Sequence, residues 1–118
     1  MQALFTKSQE GVLNGLNLLD GECFKFDHKT KKVPHIGWNS INIKKNVPLT
    51  NSISKNIFYF AHSYFVNCKN QDIIIGTTDY IHNFTSIINK QNIYGVQFHP
   101  EKSYDQGKAI IKNFIELC

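Results

Sequence analysis

The sequence predicts an α/β chain, rich in short strands and closed by one C-terminal helix. Short β-branched and aromatic segments recur between polar turn residues from Cys23 to Phe98. The run Ile73-Ile74-Ile75 is continuous rather than alternating, as in a strand covered on both faces. Beyond Ser103, the apolar residues Ala109, Ile110, Phe114 and Leu117 recur at helical spacing.

Met1, Leu4 and Phe5 would share one face of a short helix over residues 1–9. No capping residue or turn precedes it, so the expectation is an element entered in its middle. Residues 11–19, with Gly11, Asn14 and Gly15, read as irregular loop. Strands are then expected at 23–26, 36–43, 57–61, 64–67, 73–78, 86–89 and 93–98, each bounded by polar turn residues. The closing helix is expected from about Tyr104 to Leu117. Many strands with so little helix would leave one face of a sheet nearly bare. The allotment is that expected of half a fold.

The 118 residues read as one domain, residues 1–118, with no linker or internal repeat. No apolar run is long enough to cross a bilayer and no leader pattern is present, so a cytoplasmic location is expected. Three scattered cysteines, Cys23, Cys68 and Cys118, fit a reducing compartment and neither a disulfide framework nor a zinc knuckle. The net charge of +4 comes with dispersed lysines and no arginine. Readers of bases and phosphates lean on the bidentate guanidinium fork, so nucleic acid is not expected as a partner. No metal or cofactor is expected.

The chemistry concentrates in Gly95-Val96-Gln97-Phe98-His99-Pro100-Glu101-Lys102-Ser103. A strand ends at Phe98, and Pro100 stiffens the turn that carries His99 and Glu101. At this i, i+2 spacing a carboxylate can fold back onto one imidazole nitrogen, leaving the other free to take a proton from a nucleophile. Taken alone, such a triplet is more often a solvated loop. The H-x-E of zinc deaminases would need a P-C-x-x-C partner, and none is present.

The whole nonapeptide resembles the signature around the catalytic histidine and glutamate of class I glutamine amidotransferases, whose nucleophile is a cysteine. Pro34-His35-Ile36-Gly37-Trp38-Asn39 and Tyr59-Phe60-Ala61-His62-Ser63-Tyr64-Phe65 resemble, in order, segments of the glutaminase branch serving imidazole glycerol phosphate synthase. The resemblance covers nearly the whole chain. It implies the C-terminal part of a three-layer α/β/α domain with a central, mainly parallel sheet.

Residue by residue, it implies His99 as general base and Glu101 as its orienting carboxylate. Gln2, Glu10, Ser63 and Tyr64 would contact the substrate glutamine, with Glu10 receiving the α-ammonium. Pro34, His35, Gly37, Trp38 and Asn39 would lie toward the synthase (cyclase) subunit, forming a heterodimer. Plainer readings stand beside these. Gln2 and Glu10 face solvent in one of them, Tyr64 simply packs, and Trp38 is either an interface residue or a core anchor. His62 is a hydrogen-bonded structural histidine. His28, His35 and His82 carry no pattern, taken singly, beyond that of surface or turn residues.

The family's nucleophile lies on a turn of the form G-x-C-x-G-M-Q, which would set it three residues ahead of Met1. None of the three cysteines present matches its position, so the chain alone is expected to lack glutaminase activity. An exposed sheet edge and face would favour self-association. The resemblance leaves three functions: an ammonia-supplying glutaminase subunit in histidine biosynthesis, a paralogue supplying a sugar-modifying enzyme, or a non-catalytic fragment that binds the synthase.

Overall fold

The computed structural model describes residues 1–118 except Val12. Among the described residues the strands are β1 (Phe5–Ser8), β2 (Leu19–Lys25), β3 (His35–Ser40), β4 (Asn42–Ile43), β5 (Ile57–His62), β6 (Tyr64–Cys68), β7 (Ile74–Tyr80), β8 (His82–Lys90) and β9 (Ile93–Val96). The helix α1 runs Tyr104–Leu117, as its apolar spacing predicts. No helix among the described residues is long and apolar enough to cross a membrane.

The strands form three sheets, ordered β1-β2-β6, β3-β5 and β4-β7-β8-β9. Only β1 and β2 pair in parallel; the other pairs are antiparallel. The chain is thus strand-rich with mixed sheets and one C-terminal helix, consistent with part of the α/β/α fold expected above.

The N-terminal helix is corrected. Residues Gln2–Leu4 make a single 3₁₀ turn and the chain then extends as β1. A helix needs its carbonyls for amides four residues on. Here the loop takes them instead: Ala3, Leu4 and Thr6 carbonyls accept from the amides of Leu16, Leu18 and Gly15 at 2.8–2.9 Å. Phe5 is fully buried, so its side chain also fixes this segment against β2.

The strand expected over 36–43 is split. β3 pairs with β5, β4 pairs with β7, and Ile41 at the crossing is buried. The Ile41 amide leaves both ladders for the Asn56 carbonyl at 2.7 Å. The chain therefore changes sheet at one residue, its apolar side chain dropping into the core.

Two apolar clusters hold the layers. Phe58 and Phe60 of β5, Ile75 of β7, Phe84 and Ile87 of β8, and Ile110 of α1 form the larger. Phe5, Leu19, Cys23, Val66 and Ile88 form the smaller, joining the first sheet to β8. Burying one such large side chain is worth about 1.5–3 kcal/mol.

The start of α1 is seated by two small residues. The Ser103 side chain is completely buried, donating to the His99 carbonyl at 2.6 Å and accepting from the Tyr59 amide at 3.0 Å. At Gly107 the helix backbone lies so close to the preceding loop that an added Cβ would stand 1.9 Å from the Pro100 carbonyl oxygen. Gly107→Ala should therefore destabilise the chain by about 2–4 kcal/mol in urea unfolding. At Gly11 a Cβ would meet nothing within 4 Å, and Gly11→Ala should stay within about 0.5 kcal/mol of the parent. Equal midpoints for the two variants would refute the close-approach account. Ser103→Ala leaves the Tyr59 amide without its partner and the His99 carbonyl with only the Lys102 amide, and should cost about 1–3 kcal/mol in the same measurement.

Candidate active site

The loop after β9 carries the predicted pair. His99 caps a 3₁₀ turn at Pro100–Lys102. Its amide donates to the Tyr59 carbonyl at 2.9 Å, which ties the loop to β5. Its Nδ1 lies 2.8 Å from Glu101 Oε1. A carboxylate only accepts, so Nδ1 carries the proton and Nε2 is left as the available base. Glu101 itself is exposed. Its own backbone amide first, and His99 second, hold its carboxyl below the usual range. Both donors favour the charged, accepting form.

His99 lies in a cleft of about 780 Å³ whose wall also includes Gln2, Glu10, Pro34, His62, Ser63 and Tyr64. Five separate stretches of chain converge there, Pro34 and the His99 loop supplying two of them. Gln2 comes from the N-terminal 3₁₀ turn, Glu10 from the loop after β1, and Ser63 and Tyr64 from the β5–β6 junction. The Gln2 side-chain amide donates to the Tyr64 carbonyl at 3.0 Å and to Gln97 Oε1 at 3.1 Å. Gln2 is thus half-buried and engaged, whereas Glu10 is exposed at the rim.

The 34–39 segment divides between surface and core. Pro34 is exposed and reaches the cleft wall. Gly37 sits at φ +128°, backbone that favours glycine. Trp38 is 46% exposed, so the core-anchor reading does not hold. Its ring stacks on Tyr104 at 5.2 Å and meets Tyr59 edge-on at 5.8 Å. Tyr104 holds φ +48°, a conformation that costs a residue with a Cβ about 1 kcal/mol or more.

His35 differs from its neighbours. It is 3% exposed, packed between the rings of Tyr80 at 4.0 Å and Phe60 at 4.9 Å. Side chains alternate along β3, so the one between exposed Pro34 and exposed Ile36 points inward. His35 stands opposite His62 in the β3–β5 ladder, and their rings bond at 2.9 Å. No pattern within either segment shows this, because the two lie 27 residues apart and the register alone joins them. Burial pushes the His35 imidazole down to about 4, aided by His62 and Lys31, and lowers His62 as well. Among the other histidines, His28 is exposed, while His82 packs its ring edge-on against Phe65 at 4.4 Å.

No cysteine thiol lies in the cleft wall. Cys23 and Cys68 are buried, which pushes each thiol up to about 11, and Cys118 is exposed at the chain end. Thiols held so high are protonated at neutral pH and poor nucleophiles.

Comparison with known proteins identifies the family. The profile of glutamine amidotransferase class-I matches residues 1–117. The chain is 47% identical to imidazole glycerol phosphate synthase subunit HisH 1 of Methanococcus maripaludis, across 99% of this chain and 58% of that protein. It is 48% identical to subunit HisH of Methanocaldococcus jannaschii, across 99% of this chain and 60% of the relative. The subunit HisH of Leptospira interrogans is 41% identical, with the same coverage as the second. The chain thus spans about three fifths of the length of these curated relatives. With the family profile matched over residues 1–117 and the His99–Glu101 pair set beside the cleft, the chain belongs to the class-I glutamine amidotransferase family, close to the HisH subunits of imidazole glycerol phosphate synthase.

Proposed function

We propose that this chain provides the acid–base and substrate-holding part of a glutaminase site that passes ammonia to a cyclase subunit in histidine biosynthesis. The observation that carries the reading is the 2.8 Å His99–Glu101 contact in a loop at the wall of a cleft shared with Gln2, Glu10, Ser63 and Tyr64. In this reading His99 Nε2 takes the proton of an attacking thiol and later gives it to the departing ammonia. Glu101 holds the ring in the Nδ1–H tautomer and stabilises the imidazolium. The Ser63–Tyr64 backbone and Gln2 hold the polar groups of the glutamine, and the Glu10 carboxylate receives its α-ammonium.

The attacking thiol is assigned to none of Cys23, Cys68 and Cys118, since none lines the cleft. The chain by itself is therefore proposed to be inactive. A non-catalytic role, binding the synthase without hydrolysis, draws on the same observation. Pro34, Gly37, Trp38 and Asn39 are proposed to face the cyclase subunit. The exposed Trp38 side chain and its exposed neighbour Ile36 make that face apolar.

The decisive assay is glutamate release from glutamine, with the cyclase subunit and its nucleotide substrate present. The chain alone should release none. Supplied with the N-terminal portion of a relative's subunit that carries a cysteine nucleophile, it should release glutamate. In that assembly His99→Ala should lower kcat by about 10²–10⁴, and Glu101→Gln by less. Release by the chain alone, abolished by Cys23→Ser, Cys68→Ser or Cys118→Ser, would overturn the assignment. Trp38→Ala should weaken cyclase binding in a titration by about tenfold or more while leaving the fold intact. Unchanged affinity would remove Trp38 from the interface.

A further inference from the structure

Behind the cleft wall, three side chains form a continuous hydrogen-bonded line. Asn39 Nδ2 lies 3.2 Å from His35 Nε2, His35 Nδ1 lies 2.9 Å from His62 Nε2, and His62 Nδ1 lies 2.8 Å from the Tyr64 carbonyl oxygen. Both ends fix the direction of this line. The Tyr64 carbonyl only accepts, so His62 Nδ1 carries a proton. At the other end, the Asn39 amide group gives one hydrogen to the Asp79 carbonyl at 3.0 Å, and its oxygen accepts from the Ser40 amide at 2.7 Å. Nδ2 therefore faces His35 with a hydrogen, and His35 Nε2 must be bare. With both rings neutral, every nitrogen between these ends has one defined role.

We propose that Asn39, His35 and His62 form a one-directional relay that positions the Ser63–Tyr64 backbone at the cleft, and that it works only while both imidazoles are neutral. The Tyr64 carbonyl takes two donors, His62 from behind and Gln2 from the cleft side. Both of its lone-pair directions are thereby used, and the β5–β6 junction is held from two sides. A proton added to His62 Nε2 would point at the Nδ1–H of His35, and one added to His35 Nε2 would point at the Asn39 amide hydrogens. Either charge breaks the line.

The surroundings discourage such charges. Lys31 faces His35 and also lies over the Tyr80 ring at 5.1 Å, while His99 faces His62. Phe60 and Tyr80 enclose His35, and Phe26 and Phe84 enclose His62 at 5.4 and 5.1 Å. Of the carboxylates nearby, Glu101 is committed to His99 and Asp79 to the Asn83 amide at 2.6 Å, while Glu10 lies exposed at the cleft rim. The relay rests on the proposed glutamine site only for what the Ser63–Tyr64 backbone would hold.

The test is nitrogen-15 NMR of the imidazoles in the 118-residue chain, which requires no variant. Both His35 and His62 should appear as neutral Nδ1–H tautomers at pH 7 and remain so at pH 6. Either ring in the Nε2–H form, or charged at pH 6, would overturn the relay. Exchange of the Ser63, Tyr64 and Phe65 amides should speed up at least about tenfold in His62→Leu. His62→Asn keeps a donor near the Nδ1 position and should recover most of that loss. No change in His62→Leu would refute the positioning role.

The pH dependence has a defined sign. Both rings are harder to protonate in the folded chain, so the unfolded chain binds more protons between pH 6.5 and the lowered values. The stabilisation is full above pH 6.5 and is lost as pH falls. The urea midpoint should drop between pH 6.5 and 5, above the range where carboxylates titrate, and His35→Phe should reduce that slope. A flat midpoint in this window would overturn the neutral-pair requirement. Glutamate release is not among these readouts, so failure of the relay and failure of the glutaminase reading are distinguishable.

Discussion

The main-chain polar groups of Tyr59, in the middle of β5, are claimed from outside the sheet. Its amide donates to the buried Ser103 hydroxyl, and its carbonyl accepts the His99 amide. Ser103 in turn closes back on the His99 carbonyl. One residue of one strand therefore fixes both ends of the loop that presents His99 and Glu101. Three residues further along, the same strand delivers His62 to the back of the cleft. Because backbone polar groups removed from water are costly to leave unpaired, this arrangement resists loosening at any single point.

The small residues around this anchor follow from it. Once the loop is drawn against β5, α1 must begin within contact of Pro100, and only a residue without Cβ fits at Gly107. The apolar stripe of α1 then reaches the larger core through Ile110. Packing, backbone hydrogen bonding and the placement of the imidazole are thus consequences of one close approach.

The two histidine environments at the cleft are opposite in kind. His99 is partly exposed and paired with an exposed carboxylate, which holds Nδ1–H and leaves Nε2 bare. His35 and His62 are enclosed by aromatic rings, with Lys31 facing His35, an arrangement that keeps rings neutral. Residues of one type sit on either side of the Ser63–Tyr64 segment, separated in behaviour by solvent access and by the partner each nitrogen meets.

Much of this was legible in the chain itself. The closing helix follows from the spacing of Ala109, Ile110, Phe114 and Leu117, and the strands from Cys23 onward follow from β-branched and aromatic segments set between polar turns. The His99–Glu101 contact follows from two residues flanking a proline at a strand end, because short-range geometry is set by local dihedral restriction. Such features involve residues within a few positions of one another. The helix expected at the N-terminus failed for the complementary reason: the amides that satisfy Ala3, Leu4 and Thr6 come from a loop nine to fourteen residues away. Likewise, the inward turn of His35 and its bond to His62 depend on the β3–β5 register, and the burial of Ser103 depends on a strand 44 positions back. The sequence determined the local elements and the paired acid–base loop. The tertiary structure decided which backbone groups each element satisfies and which histidines are kept from water, since those are set by long-range pairing and close packing.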